Sequence, residues 1–105
     1  MITITSNAAA QIMTSAKEQH LDGLALRVAA QRQQDGSLHY AMGFDEPDAT
    51  QDTRFTTEGV EVVISSVSLD LVKGMTIDFV DMGDGKMEFI FINPNDPNQQ
   101  SPSEQ

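Results

Sequence analysis

The stretch from Gly74 to Asn95 constrains the fold more than any other part of the chain. Met75, Ile77 and Phe79 alternate with Thr76, Asp78 and Val80, and Met87, Phe89 and Phe91 alternate with Glu88, Ile90 and Ile92. Period two on both arms is the pattern of half-buried strands. Asp84-Gly85 lies between the arms and supplies the positive φ of a tight hairpin turn. Pro94 and Pro97 end the pairing, because proline has no N–H to give to a ladder.

Elements upstream follow the same logic. Ile2 and Ile4 alternate with Thr3 and Thr5 and predict a short first strand. Thr5 or Ser6 can then cap a helix through a side-chain oxygen. Ala9, Ile12, Met13, Ala16 and His20 share one helical face, and Asp22-Gly23 is the expected stop. Leu24, Leu26 and Val28 alternate with Ala25, Arg27 and Ala29, a second strand. Gln31 to Ser37 is polar, ends near Asp35-Gly36 and reads as a loop. Leu38, Tyr40, Met42 and Phe44 alternate with His39, Ala41 and Gly43, a third strand. Asp45 to Asp52 is loop by composition. Phe55 and Thr57 suggest a short strand, Glu58-Gly59 a turn, and Val60, Val62 and Ile64 another strand. A short helix follows over Val67 to Lys73, capped by Ser65 or Ser66. Residues 93–105 contain no apolar side chain and predict a disordered tail, so the expected domain is 1–92.

These elements predict a mostly β, α+β domain: a small β-sandwich of about seven strands in hairpins, with one N-terminal helix and one short helix. At 105 residues the chain makes one domain. That is enough to bury roughly two-thirds of its unfolded surface without covalent staples.

Composition excludes several chemistries. There is no cysteine, hence no disulfide, no thiolate metal site and no cysteine nucleophile. Formal charge is −10, from 16 acidic against 6 basic residues. A body this acidic repels phosphate backbones and anionic lipid, so direct nucleic-acid binding is disfavoured and no membrane partner is expected. The first residues lack a basic segment followed by an apolar run, and no stretch approaches the ~20 apolar residues of a membrane helix. A soluble, cytoplasmic protein is the expectation.

Candidate site residues are few. His20 and His39 lie far apart without a carboxylate motif around them. No serine has a hydrolase context, and no glycine-rich loop opens a helix. Asp45, Glu46, Asp48 and Asp52 in one loop, with Asp81 and Asp84 at the hairpin turn, lack calcium-loop spacing and read as solvated charge. Met13, Met42, Met75 and Met87 occupy core positions of the pattern, whereas Met82 falls at a turn. The residues thus indicate no enzyme, no cofactor and no metal site.

The order of elements nonetheless resembles a known family. An Ile-Thr-Ile-Thr-Ser-Asn-Ala-Ala opening is followed by Leu24-Ala-Leu-Arg-Val28, Tyr40, Glu58-Gly-Val, Ser65-Ser-Val-Ser-Leu69, Gly74-Met-Thr-Ile-Asp-Phe-Val80 and Phe89-Ile-Phe-Ile-Asn-Pro-Asn95. This resembles the HesB/IscA A-type iron–sulfur carriers over nearly the whole chain. In that family one cysteine in the loop before the Tyr40 strand and two in a tail after Asn-Pro-Asn hold iron or a cluster, since soft thiolates bind it and hand it on. Here the loop position falls at or near Asp35, and Gln100 and Pro102 stand about where the tail cysteines would be. Among members of the family the chain resembles the cysteine-free, DsrR-like branch, tied to the dissimilatory sulfite reductase machinery of sulfur-oxidising bacteria.

That resemblance implies a non-catalytic accessory or regulatory protein of sulfur oxidation with an unidentified protein partner, which could belong to the sulfite reductase machinery. The contact surface it suggests is the loop Gln31 to Ser37, with Arg32, Asp35 and Gly36; the alternative is that this loop is only a variable strand connection. A rival reading is an iron carrier or assembly factor using oxygen and nitrogen ligands, with Asp35, His39 and Glu88 as candidates. A third, RNA contact, requires Arg27, Arg32 and Arg54 to converge on one patch.

Overall fold

The computed structural model describes residues 2–48 and 50–96. Among them, seven strands and two helices follow one another as β1 (Thr3–Ile4), α1 (Ser6–Glu18), β2 (Ala25–Arg32), β3 (Leu38–Asp45), β4 (Asp52–Thr57), β5 (Val60–Ser65), α2 (Ser66–Val72), β6 (Thr76–Asp81) and β7 (Met87–Ile92). This is the mostly-β α+β architecture expected from the alternation. The strands form two sheets, β1-β6-β7 and β3-β2-β5-β4. Three hairpins are antiparallel, but β1 joins β6 and β2 joins β5 in parallel.

The inner faces of the two sheets and one side of α1 make the core. Ile4, Val28, Val62, Ile64, Val72, Met75 and Ile77 are all at most 1% exposed, so no water reaches the centre. The hairpin registers pair Ile77 with Phe91 and Phe79 with Phe89, so the alternating set of each arm lands on one face.

Thr5 is the N-cap of α1: its hydroxyl oxygen accepts from the Ala8 N–H at 3.2 Å and donates to Asp78 Oδ1 at 2.6 Å. The cap therefore also pins the helix start to β6. The helix ends earlier than Asp22-Gly23. His20 takes φ 59, and Leu21 N–H returns to the Ala16 carbonyl at 2.7 Å. That is the left-handed termination usually filled by glycine, here filled by a histidine. His20 consequently lies past the helix rather than on its apolar face.

Four further expectations are corrected. Met13 and Met87 are 42% and 47% exposed rather than core, because Ala8, Ala9, Ile12 and Ala16 suffice for the buried side of α1 and Met87 sits at the open end of β7. Met75 is fully buried as expected, and Met82 is exposed. The β6–β7 connection is a five-residue loop rather than a two-residue turn. Met82 N–H bonds the Lys86 carbonyl at 2.9 Å, and Asp81 Oδ1 accepts from Gly83 and Gly85 N–H. Ser65 occupies the N-cap position of α2 but makes no side-chain cap bond.

The fourth correction concerns the tail. Residues 93–96, expected to begin it, are fixed on the domain: Asn93 is 3% exposed. The rest of the expected tail, 97–105, lies outside the described residues.

Candidate functional site

The loop singled out by the resemblance is tighter than its composition suggests. β2 runs to Arg32, because Gln31 pairs with His39 and Arg32 with Leu38. Only residues 33–37 turn. Gly36 N–H bonds the Gln33 carbonyl at 3.0 Å and Gln33 N–H bonds the Ser37 carbonyl at 2.8 Å. Gly36 has φ +88, which glycine adopts without strain.

Side chains brace this turn from within. Arg32 Nη1 donates to the Gly36 carbonyl at 2.7 Å. Asp35 Oδ1 accepts from Ser37 Oγ at 2.6 Å and from Ser37 N–H at 3.0 Å. Those two bonds, the hydroxyl's first, hold the Asp35 carboxyl below the usual carboxylate range. The three expected contact residues are thus adjacent and exposed or half-exposed, and each takes part in the turn's own geometry.

A second cluster closes on the same end of β3. The Tyr40 ring stacks on Phe91. Its hydroxyl donates to Asp96 Oδ2 at 3.0 Å and accepts from Asn93 Nδ2 at 3.1 Å. Asn93 Nδ2 also reaches the Leu71 carbonyl at 2.7 Å, and Asn95 Nδ2 reaches the Lys73 carbonyl at 2.7 Å. These two asparagines satisfy carbonyls at the end of α2 that the helix leaves unpaired. Burial pushes the Tyr40 phenol up to about 12. This clamp was not foreseen: Asn93 and Asn95 were visible only as part of a family motif, and polar composition alone assigned them to the tail. The last described residue, Asp96, is held only a few rungs from the 33–37 turn.

The other candidates do not assemble into a site. Asp35 lies in the turn between β2 and β3 and His39 on β3 of the four-stranded sheet, whereas Glu88 belongs to the three-stranded one. Among the described residues no group of three or more His, Asp or Glu is placed to hold a metal ion. Arg27 and Arg54 do share one outer rung, since both pair with Val63. Their charge is already matched, however. Arg27 bonds Asp45 at 2.8 Å and Asp52 at 2.7 Å, and Arg54 pairs with Glu61. Arg32 stands apart at the strand end, so no basic trio forms for a phosphate backbone.

The acidic loop has a structural role. Asp52, whose side chain is 1% exposed, grips Arg27 bidentately and accepts from Asp48 N–H at 2.7 Å. The guanidinium, then the Asp48 N–H, lower its carboxyl to about 2. Thr50 N–H and hydroxyl likewise depress Asp48, and Arg27 depresses Asp45.

Comparison with known proteins places this geometry. The family model for iron-sulphur cluster biosynthesis matches residues 1–98. The chain belongs to this family. It is 36% identical over 94 residues to the iron-binding protein IscA of Enterobacter sp. (strain 638), covering 90% of this chain and 86% of the relative. It is 33% identical over 96 residues to the protein SufA of Bacillus subtilis (strain 168), covering 90% and 78%. Crystal structures share the fold. Escherichia coli SufA aligns with TM-score 0.75 at 22% identity over 99% of this chain and 90% of its own. IscA with a [2Fe-2S] cluster aligns with TM-score 0.74 at 23% identity over 90% and 86%.

That IscA holds a [2Fe-2S] cluster, and the residues here do not fit one. Cluster iron takes soft thiolate donors. This chain has no cysteine, and the Asp35 carboxylate is turned onto Ser37. No step through a cluster is derived for it.

Among the described residues no helix is long and apolar enough to cross a membrane.

Proposed function

We propose that this chain is a cysteine-free, DsrR-like member of the family: a non-catalytic, cytoplasmic accessory or regulatory protein of bacterial sulfur oxidation that acts by contact with another protein. One observation carries the reading. A chain that matches the family over residues 1–98 contains none of the thiolates a carrier needs. What remains is the scaffold, with its turn and clamp intact, and a surface that can be read by a partner. A component of the sulfite reductase machinery is the partner this reading favours. The braced turn of Arg32, Asp35 and Gly36 is the rim it would meet.

The test is iron and acid-labile sulfide on protein purified without oxygen, before and after attempted cluster reconstitution. The expected result is a colourless, folded protein with neither. A variant carrying Asp35→Cys, Gln100→Cys and Pro102→Cys serves as comparison and is expected to take up a coloured cluster. Stoichiometric iron with sulfide on the unaltered chain overturns the proposal. Iron without sulfide favours the oxygen and nitrogen ligand reading instead.

A further inference from the structure

Beside the braced turn, a shallow groove of about 510 Å³ runs between α2 and the adjoining ends of β2 and β3. Ala29, Ala41, Val67 and Leu71 supply its apolar lining, and Arg32 and His39 stand among its polar residues. The groove is open because the side chains on this rung are small. Ala29 pairs with Ala41, so the sheet surface there is nearly flat.

Val67 is 82% exposed in the first turn of α2, while the next residue, Ser68, is 2% exposed and bonded to both the N–H and the carbonyl of Ala30. The helix is therefore fixed to β2, and the valine is held outward by a rigid base. Single exposed aliphatics are ordinary; one fixed beside a flat apolar floor forms a contact surface.

Charge indicates what would cover it. The chain carries 16 acidic residues against 6 basic ones, yet no acidic side chain lines this groove. Arg27, Arg54 and Lys73 each have a carboxylate partner. Arg32 has none among the described residues and uses Nη1 on the Gly36 carbonyl. A guanidinium so anchored keeps further N–H donors in a fixed orientation, the preorganised form in which arginine binds a carboxylate.

We propose that this groove receives an acidic, aliphatic segment of a partner protein, with an aliphatic side chain against Val67 and Ala41 and a carboxylate on Arg32. The inference rests on the protein-contact reading above and names the surface and the partner's chemistry.

The experiment is an amide NMR titration of the full chain with two synthetic amphipathic peptides. One alternates leucine and glutamate faces, and its twin carries lysine for every glutamate. The expected result is that the acidic peptide shifts the amides of Arg32, Ala41 and Val67 and the lysine twin does not. Val67→Glu and Arg32→Glu each weaken the acidic peptide at least about tenfold. Both side chains are exposed, so a spectrum otherwise unchanged confirms that each variant is folded.

Equal response to both peptides, no response, or undiminished binding by folded Val67→Glu overturns the proposal. So do shifts of the same amides with protein concentration alone, which make a second copy the occupant. Cluster uptake by the unaltered chain defeats the functional reading whatever the peptides do. A metal-free chain with a silent groove defeats only this inference.

Discussion

Tyr40 and Phe91 stack with ring centroids 4.9 Å apart and planes 10° from parallel. One ring comes from β3 at the edge of the four-stranded sheet, the other from β7 at the edge of the three-stranded sheet. The contact closes the sandwich along that side, and the Tyr40 hydroxyl continues it into Asn93 and Asp96. One side chain of β3 thereby ties together β7 and residues 93–96.

Tyr40 is the sole tyrosine, so its ionisation is read directly by absorbance. Burial should move it to about 12 from an ordinary value near 10. Because the folded value is the higher, this stability is full below about pH 10 and is lost as pH rises towards about 12. A titration midpoint at the ordinary value would show the clamp open. Tyr40→Phe keeps the stack and removes the hydroxyl; a loss of about 1 kcal/mol is expected by denaturant unfolding. An unchanged midpoint would show that the Asp96 and Asn93 bonds contribute nothing.

At acid pH the Arg27–Asp52 pair should dominate. Asp52 is lowered to about 2 in the folded chain against an ordinary carboxylate value near 3.9 when unfolded. Between those values the unfolded state binds more protons, so stability falls as pH drops through the window. Asp52→Asn should be less stable at neutral pH and should lose stability less steeply on acidification. Melting temperatures measured across that range test this; parallel curves for the two proteins would contradict it.

Ser68 bridges α2 to the edge of β2 where β5 departs. Its hydroxyl meets Ala30 N–H at 3.1 Å and the Ala30 carbonyl at 3.2 Å. Ser68→Ala leaves both groups buried without that partner and is expected to cost about 1–3 kcal/mol. Amide hydrogen exchange at Ala30 should rise more than the global change explains. Equal protection in both proteins would mean that α2 docks by Val72 and Leu69 alone.

Periodic segments were legible as such. Alternation identified β3, β5, β6 and β7, and Thr5 with Ala9, Ile12 and Ala16 identified α1. Polar residues in regular structure were not. Gln31 and Arg32 belong to β2 because Leu38 and His39 offer them ladder partners, which composition does not reveal. His20 ends α1 because a left-handed residue was needed there, although Asp22-Gly23 looked the better stop. Arg32, Asp35 and Gly36 were found through a resemblance rather than through any chemistry of their own. The clamping role of Asn93 and Asp96 and the groove around Val67 gave no signal, since each depends on elements distant in the chain.

The sequence by itself determined which segments are strand and which helix, and that no thiolate is available to hold a cluster. Both follow from local facts: side-chain period fixes which face can be buried, and a missing donor type is missing in any fold. Tertiary structure alone decided that β1 lies parallel to β6 and β2 to β5, that Arg27 is neutralised by Asp45 and Asp52, and that Tyr40 reaches Phe91, Asn93 and Asp96. Those pairings join residues far apart in the chain. They are selected by burying the apolar faces of both sheets and α1 in one core while leaving polar groups bonded, a condition that no single stretch of sequence contains.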